Sequence, residues 1–231
     1  MIKKIQLLLS SAEHRNSDKL ADLLVKEWEA VKQALPGIQH RRAIRVPGDP
    51  TSNVPQDGQP DEVSEQPSFD VVFELRGEEV PLETLSKAVE GIGERLASVI
   101  DQTNSAALVG TEHMIVPGAH PLFLNMALRR LPKWSKEEWH DHWLGHHAAE
   151  VRENVSGLQG YRQFHADELS SRKAAEMAGV AIDDFEGTAE GYYSDIDKFL
   201  ETLSDPEVSK DSGFIDHGRS VMWLYSLTEM D

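Results

Sequence analysis

Four histidines crowd one predicted helix of this chain: His140, His142, His146 and His147. His142 and His146 lie four residues apart and therefore share a helix face, a spacing that can bind a divalent metal. No His-Glu-x-x-His pattern accompanies them, and spacing alone seldom makes a metal site. We therefore predict no metal or other cofactor, with two of the four histidines exposed and the others in polar packing.

His147 is the strongest of the four as a candidate for catalysis. A neutral imidazole near pH 7 can both donate and accept protons, as general acid–base catalysis requires. The alternative is a structural histidine that bonds a backbone carbonyl and holds its helix to the sheet. The residues alone leave both interpretations open.

A polar row, Tyr161, Gln163 and His165, alternates along one predicted strand. Alternate residues of a strand point to the same face. The opposite face must meet helices, so the row is predicted to face a cavity, with Tyr161 as a donor to a substrate oxygen, Gln163 as a substrate-binding residue and His165 as a base. The alternative is a partly solvated edge strand.

Arg129 and Arg130 end another predicted strand. One of them is expected at the cavity rim, where a guanidinium can hold a carboxylate or an enolate. Arg130 is the candidate for the catalytic role and Arg129 for substrate binding. The alternative is an ordinary surface salt bridge.

Several aromatic residues could add substrate-binding surface. Trp139 and Trp143 are one helical turn apart and form a shared patch, although such residues are more often core. Trp143 is nevertheless taken as a candidate for substrate binding. Tyr193 and Tyr225, on later strands, are predicted to reach the pocket.

The elements that must position these residues follow the order βαββαβ twice. Apolar residues at three- and four-residue steps predict helices over residues 17–35 and 82–100 in the first half. Ser135 and Glu138 form a capping-box pattern for a helix that runs to residue 153. Residues 48–68, rich in Pro, Gly, Asp, Gln and Ser, predict a long surface loop. Strands are predicted over residues 2–9, 38–46, 69–75, 106–116, 122–130, 158–166, 187–193 and 220–227.

These elements predict an α+β protein of two tandem ferredoxin-like repeats, residues 1–118 and 119–231, forming a pseudo-dimeric α/β barrel. Each four-stranded sheet carries helices on one face only. Packing the two sheets face to face would cover the other faces and enclose a cavity. Two such chains could pair further into a homodimer.

Composition narrows the classes of partner. The chain of 231 residues has no cysteine, which excludes a disulfide framework and a thiolate nucleophile and fits a cytoplasmic location. Its formal net charge of -17 repels nucleic acid and anionic membrane surfaces. No apolar run reaches membrane-spanning length. The expected partner is therefore a neutral or weakly charged small molecule.

Residues 130–165 resemble an EthD domain, a branch of the dimeric α/β-barrel superfamily. The resemblance rests on RLPKWSKEEWHDHWLGHHAAEV followed by GLQGYRQFH, in which Trp143, His147 and Val151 match the helix, and Tyr161 and Gln163 match the strand. It implies that the helix borders a cavity. The first half has Lys32 where the second has His147, which implies one asymmetric site.

Families of this superfamily carry out different reactions, so the resemblance implies a fold and leaves the reaction open. The leading hypothesis is cofactor-independent acid–base chemistry, namely elimination, isomerisation or cyclisation of an apolar, oxygen-bearing aromatic, polyketide-like or steroid-like compound. A second is a cofactor-free monooxygenase. A third is a non-catalytic accessory or ligand-binding protein of a catabolic pathway. Related barrels bind haem through a helical histidine, although no haem-family signature is present here.

Overall fold

The computed structural model describes residues 1–12, 17–53, 67–182 and 184–230. Eight strands alternate with short helices. The strands are β1 Ile2–Ser11, β2 Gln39–Arg45, β3 Val71–Glu78, β4 Ile100–Val116, β5 Leu122–Leu128, β6 Tyr161–Ala166, β7 Gly187–Tyr193 and β8 Val221–Met230. The α-helices are α1 Ser17–Ala34, α2 Leu82–Ala88, α3 Ile92–Arg95, α4 Lys136–His142, α5 Ala148–Asn154, α6 Glu168–Ala178, α7 Ile196–Leu203 and α8 Glu207–Lys210.

The strands form one closed antiparallel barrel in the order β1-β3-β2-β8-β5-β7-β6-β4. The first four strands lie in the order β4-β1-β3-β2 and the last four in the order β8-β5-β7-β6. The two groups join edge to edge through the β2–β8 and β4–β6 pairs. The α+β class and the barrel are therefore confirmed. The expectation of two separate sheets facing each other is wrong, because their edges hydrogen-bond into one wall.

The outer face of the barrel wall is covered by helices. Ile5, Leu7 and Leu9 of β1 pack with apolar residues of α1 and α2 in one buried cluster. The side chains between them point inward, as strand geometry requires. Only the alternate residues of β1 therefore meet a helix, and Lys4 and Gln6 lie on its inner face.

The inside of the barrel holds buried charges. Lys4 forms ion pairs with Glu74 and Glu190, and Arg41 pairs with the same two carboxylates. Gln6 donates to Glu74 at 2.5 Å. All five side chains are at most 2% exposed. Lys4, Arg41 and Glu74 come from the first half of the chain and Glu190 from the second, so the network ties the halves together.

These charges are mutually compensated. Burial alone would raise the pKa of Glu190, but the cations Lys4 and Arg41 hold it well below its usual value. The same carboxylates raise the pKa of Lys4 against the effect of its burial. A buried ion pair is costly to desolvate and costly to break once formed.

Apolar and aromatic side chains fill the rest of the interior. Phe123, Tyr192 and Tyr225 stack with ring centroids 5.4–5.8 Å apart, and Phe164 lies under the Lys4 ammonium at 4.5 Å. All four rings are at most 1% exposed. Where a cavity was predicted between the sheets, these buried side chains of the described residues occupy much of the interior.

Several predicted elements have different ends. The helix predicted over residues 82–100 breaks at Gly91, whose φ of 68° is left-handed, and residue 100 already belongs to β4. In the predicted loop over residues 48–68, residues 50–53 form a 3₁₀ turn, and residues 54–66 lie outside the described part of the chain.

Within the described ranges, no helix combines the length and the apolar character needed to cross a membrane.

Candidate functional site

The histidine-rich helix begins as predicted. The Ser135 hydroxyl accepts from the Glu138 backbone N–H at 3.3 Å, and the Glu138 carboxylate accepts from the Ser135 N–H at 3.0 Å. This reciprocal capping box starts α4. The helix then carries one buried face, with Trp139 and Trp143 fully buried against Phe214.

The middle of this helix is a π-helical segment, Trp143–His147, which the predicted continuous helix did not include. The Trp143 carbonyl accepts from the backbone N–H of Ala148, five residues on. It also accepts from the Gln163 side-chain amide at 2.8 Å. A π turn behaves as a one-residue insertion and is frequent at functional sites. It changes the direction of His147 by about 100° relative to a regular α-helix.

His147 faces a carboxylate. Its Nδ1 lies 3.4 Å from Asp211 Oδ2, and His142 Nε2 lies 3.2 Å from the same oxygen. The His147 ring meets Phe214 edge-on, with centroids 5.2 Å apart. The group that His147 Nδ1 faces is thus the Asp211 carboxylate, whereas the structural interpretation of His147 expected a backbone carbonyl.

The environment of His147 sets its protonation. Burial lowers its pKa, opposed in part by Asp211, so the ring is neutral at pH 7. The carboxylate favours a proton on Nδ1, which leaves the lone pair on Nε2. His147 Nδ1 and Asp211 Oδ2 face each other at ion-pair distance without a formed hydrogen bond. A neutral histidine beside a carboxylate that can orient it is the arrangement of a general base, and its contacts are often longer without substrate.

A shallow pocket opens beside this pair. It has about 220 Å³ of empty volume, including its open mouth. Its lining is polar and mainly acidic: His147, Glu150, Val151, Asn154, Glu207, Lys210 and Asp211. Lys210 pairs with Glu207 at 2.8 Å. The enclosed part of the pocket is about 10 Å³, about the space of one water molecule, whereas ligand sites typically have roughly 300–1,000 Å³. A substrate would therefore lie across the mouth of the pocket and not inside it.

A second histidine cluster lies on the other side of the helix. The Nδ1 atoms of His140 and His165 are 2.7 Å apart, and His165 Nε2 is 3.1 Å from Gln163 Oε1. The His165 ring stacks on Trp143 at 4.3 Å, and His113 meets it edge-on at 4.8 Å. Burial, followed by the neighbouring His140 and His113, lowers the pKa of His165 to about 2.

Because the pKa of His165 is lowered, we expect the stability of the folded protein to decrease in acid. His165 stays neutral when folded, whereas the unfolded chain binds its proton below about pH 6.5. Stability should therefore fall as the pH drops from 7 to 5, and His165→Gln should flatten that slope in urea unfolding. His120→Gln, in the β4–β5 loop outside the cluster, should keep the wild-type slope. Equal slopes in both variants would contradict this assignment.

Glu186 is the anionic centre of that side. Arg130 Nε lies 2.8 Å from Glu186 Oε1, and Lys136 Nζ and His140 Nε2 lie 3.4 and 3.6 Å from Oε2. Arg130 also donates to the Trp134 carbonyl at 2.7 Å. The structure therefore places Arg130 in a salt bridge beside the His140–His165 pair.

The polar row of β6 faces the helices instead of the barrel interior. Tyr161 is buried with Trp139 and Trp143, and burial raises its pKa to about 12. Gln163 and His165 contact the same helix. The predicted orientation is wrong because the intervening Phe164 occupies the interior. Tyr161 therefore remains a phenol that can donate and cannot act as a base near neutral pH.

The remaining predicted residues lie apart from His147. Arg129 stacks on Phe185 at 3.8 Å and pairs with Asp184 at 2.5 Å. Tyr193 points outward and packs on Phe199 of α7, so its predicted reach into an interior pocket is wrong.

Tyr225 does face the interior. It is buried there and donates to the Phe69 carbonyl at 2.9 Å.

The sequence interpretation missed Asp211, Glu186 and the role of His140. It also missed the interior charges, although Lys4 and Gln6 interrupt the apolar strand β1 at alternate positions. That alternation is a usable signal. Asp211 carries no such signal, because α8 and the turn after it bring it to His147 from sixty-four residues away.

The described part of the chain contains no group of three or more His, Cys, Asp or Glu residues arranged to hold a metal. The rings of His142 and His146 are 5.1 Å apart, and His142 is already engaged by Asp211.

Haem does not fit the helix–sheet layer. A haem held by a helical histidine here would need a flat space between that helix and the second-half strands. Trp139, Trp143, Tyr161 and Phe214 fill this layer, and each is at most 5% exposed. These residues would have to be displaced.

Comparisons with known proteins agree with this architecture. Residues 131–218 match the family model of the EthD domain. No curated protein matches the chain.

Three solved structures share the fold over nearly the whole chain. A protein provisionally described as a chlorite dismutase has 12% identity, covers 99% of this chain and 95% of its own, and gives a TM-score of 0.58. A variant chlorite dismutase from Candidatus Nitrospira defluvii in complex with cyanide has 9% identity, coverage of 99% and 91%, and a TM-score of 0.53. A protein provisionally described as a monooxygenase from Lactobacillus acidophilus has 9% identity, coverage of 99% and 94%, and a TM-score of 0.52.

At these identities the likeness concerns the fold alone. The histidine-rich helix, the β6 row and Asp211 all fall inside residues 131–218, the part of the chain that matches the EthD domain model. The solved structures share the antiparallel barrel fold of the whole chain.

Proposed function

We propose that this chain is a cofactor-independent enzyme that moves a proton on a neutral, apolar, oxygen-bearing small molecule. The observation that carries the proposal is the Asp211 carboxylate 3.4 Å from Nδ1 of a buried, neutral His147 at the edge of a pocket. His147 Nε2 acts as the base. In a carbonyl compound, elimination, isomerisation and cyclisation can each begin when a base removes a proton from the carbon beside the carbonyl group.

The pocket restricts the substrate class. Its lining contributes three carboxylates and one ammonium group, and the ammonium is paired with Glu207. A carboxylate-bearing substrate would be repelled, whereas a ketone or phenol edge would not. Because the enclosed space is only about 10 Å³, the proposed substrate, an aromatic or polyketide-like molecule, would place one ring edge against the mouth of the pocket and remain outside it.

The other residues that were predicted as catalytic or substrate-binding have supporting roles in this proposal. Tyr161 and Trp143 form the apolar floor behind the helix, and Gln163 holds the π segment. Arg130 and His165 belong to the Glu186 side, separated from His147 by the helix. Enolate stabilisation by an arginine is therefore not part of the proposal.

We also propose that the two halves, residues 1–118 and 119–231, are tandem ferredoxin-like repeats. The support is the equivalent strand order in both halves, with the fourth and first strands adjacent and the third and second following. Only the second repeat carries a histidine at the position of His147. The cytoplasmic location and the homodimer remain predictions from the sequence.

A second candidate is a non-catalytic accessory or ligand-binding protein. The filled barrel interior and the filled helix–sheet layer favour it, because neither offers a closed chamber that excludes water from a reaction.

One assay separates these functions. The purified protein is incubated in D₂O with a panel of aryl ketones such as 2-tetralone, and loss of the α-proton signal is followed by NMR. The proposal predicts exchange faster than in buffer, equally with and without oxygen. Consumption of oxygen with an oxygenated product would support the monooxygenase alternative, and binding without exchange across the panel would support the accessory protein.

A further inference from the structure

A hydrogen-bonded chain of side chains runs from the π segment to His140, and its direction can be worked out. It starts at the Trp143 carbonyl, which can only accept. Gln163 must therefore present its NH₂ group there, as the 2.8 Å contact shows. This leaves the Gln163 carbonyl oxygen to accept from the next group in the chain.

His165 is that next group. Its Nε2 lies 3.1 Å from Gln163 Oε1, so Nε2 must carry the proton. A neutral imidazole has one N–H only, and His165 Nδ1 is therefore an acceptor. Because His140 Nδ1 lies 2.7 Å away, it must be the donor of that contact.

A carboxylate lies beyond His140. With Nδ1 of His140 protonated, its Nε2 faces Glu186 Oε2 at 3.6 Å. Neither of these two atoms has a hydrogen bond among the described residues. Glu186 therefore faces the His140 end as a nearby charge, and the hydrogen-bonded chain itself begins at His140.

We propose that this directed chain, from His140 through His165 and Gln163 to the Trp143 carbonyl, is a positioning device that fixes the π segment carrying His147. Gln163 is fully buried and is the direct link between β6 and that segment. The donor-to-acceptor direction of these hydrogen bonds does not depend on the proposed function. Their value for catalysis rests on the proposed function at His147.

Charged groups surround the chain on every side. Glu186 precedes β7, Arg130 follows β5, and Lys136 lies in the first turn of α4. His113 of β4 contacts the His165 ring. Burial, followed by the nearby Lys3, lowers the pKa of His113. Arg130 and Lys136 share Glu186 with His140, so the carboxylate stays ionised.

The direction is tested on the unmodified protein by ¹⁵N NMR of the histidine rings at neutral pH. Signals are assigned by single His→Gln variants. The proposal expects the Nε2–H tautomer for His165 and a protonated Nδ1 for His140. The Nδ1–H tautomer for His165 would overturn it, and this measurement needs no substrate.

Positioning is tested with Gln163→Met, which keeps the side-chain length and removes both hydrogen bonds. The expected result is that His147 loses its single Nδ1–H tautomer and titrates at a shifted pH. The matched control is Gln159→Met, just before β6, which removes one hydrogen bond from the Ser194 N–H. An unchanged His147 spectrum in folded Gln163→Met would overturn the positioning role, whatever the outcome of the exchange assay. If Gln163→Met does not fold, Gln163→Glu, which keeps the acceptor and loses the donor, is judged by the same spectrum.

Discussion

Glu190→Gln should destabilise the protein by roughly 3–5 kcal/mol, the usual cost of removing one partner of a buried ion pair. The Glu190 carboxylate is fully buried between Lys4 and Arg41 and also accepts from the Tyr192 hydroxyl at 2.7 Å. The amide keeps the shape and removes the charge, which leaves two buried cations with less compensation. Urea unfolding at pH 7 measures the effect.

The matched control is Glu201→Gln, which breaks the exposed pair of Glu201 with Lys198 at 2.8 Å. Its unfolding midpoint should stay at the wild-type value, because exposed pairs contribute little. The pKa of Glu190 is lowered, so its contribution is complete above its usual value and disappears as the pH falls through the lowered one. A Glu190→Gln variant as stable as Glu201→Gln would show that the interior network does not hold the two halves together.

His147→Gln should reduce the rate of α-proton exchange at least about 100-fold, the lower end of the range for a general base. Glutamine keeps a polar side chain of similar length and cannot take the proton. The protein should remain folded, because His147 contacts Asp211 and Phe214 and belongs to none of the interior ion pairs. The exchange rate of an aryl ketone in D₂O measures the effect.

His146→Gln is the matched control, because His146 neighbours His147 on the same π segment and is exposed. It should exchange the ketone at the wild-type rate. Equal rates for wild type and His147→Gln would assign the proton transfer to another group, and equal losses in both variants would indicate damage to the segment instead of loss of a base.

Strand and helix order followed from the sequence because apolar periodicity records which residues are covered. The stripe of Leu20, Leu24 and Trp28 predicted α1 almost to the residue, and the Ser135–Glu138 pattern predicted the start of α4. These features depend on neighbours in sequence. Local chemistry is sufficient to specify them.

Apolar periodicity could not predict which side chains of β6 point to the helices and which to the barrel interior. All six of its residues could serve either face, since the strand is buried on one side by helices and on the other by the barrel interior. Tyr161 and His165 looked like cavity residues only under the assumption that polar groups avoid helices. Here they meet a helix that carries histidines and indoles of its own.

Only part of the candidate site could be predicted from the sequence. His147 could be singled out from its neighbours, but the π turn that directs it depends on Gln163, sixteen residues on. Asp211 reaches it through α8, a four-residue helix without apolar periodicity. The ion pairs inside the barrel likewise join residues up to 186 positions apart, Lys4 and Glu190. Such contacts are set by tertiary closure, which a single sequence does not display.

The most direct test of the proposed site is a crystal structure of the protein with an aryl ketone bound. We expect the ketone edge at the pocket beside Asp211, with its oxygen or α-carbon within reach of His147 Nε2. We also expect Lys4, Arg41 and their carboxylates to occupy the barrel interior as before. A ketone bound elsewhere, with His147 in contact only with protein groups, would contradict the catalytic role and favour the accessory protein.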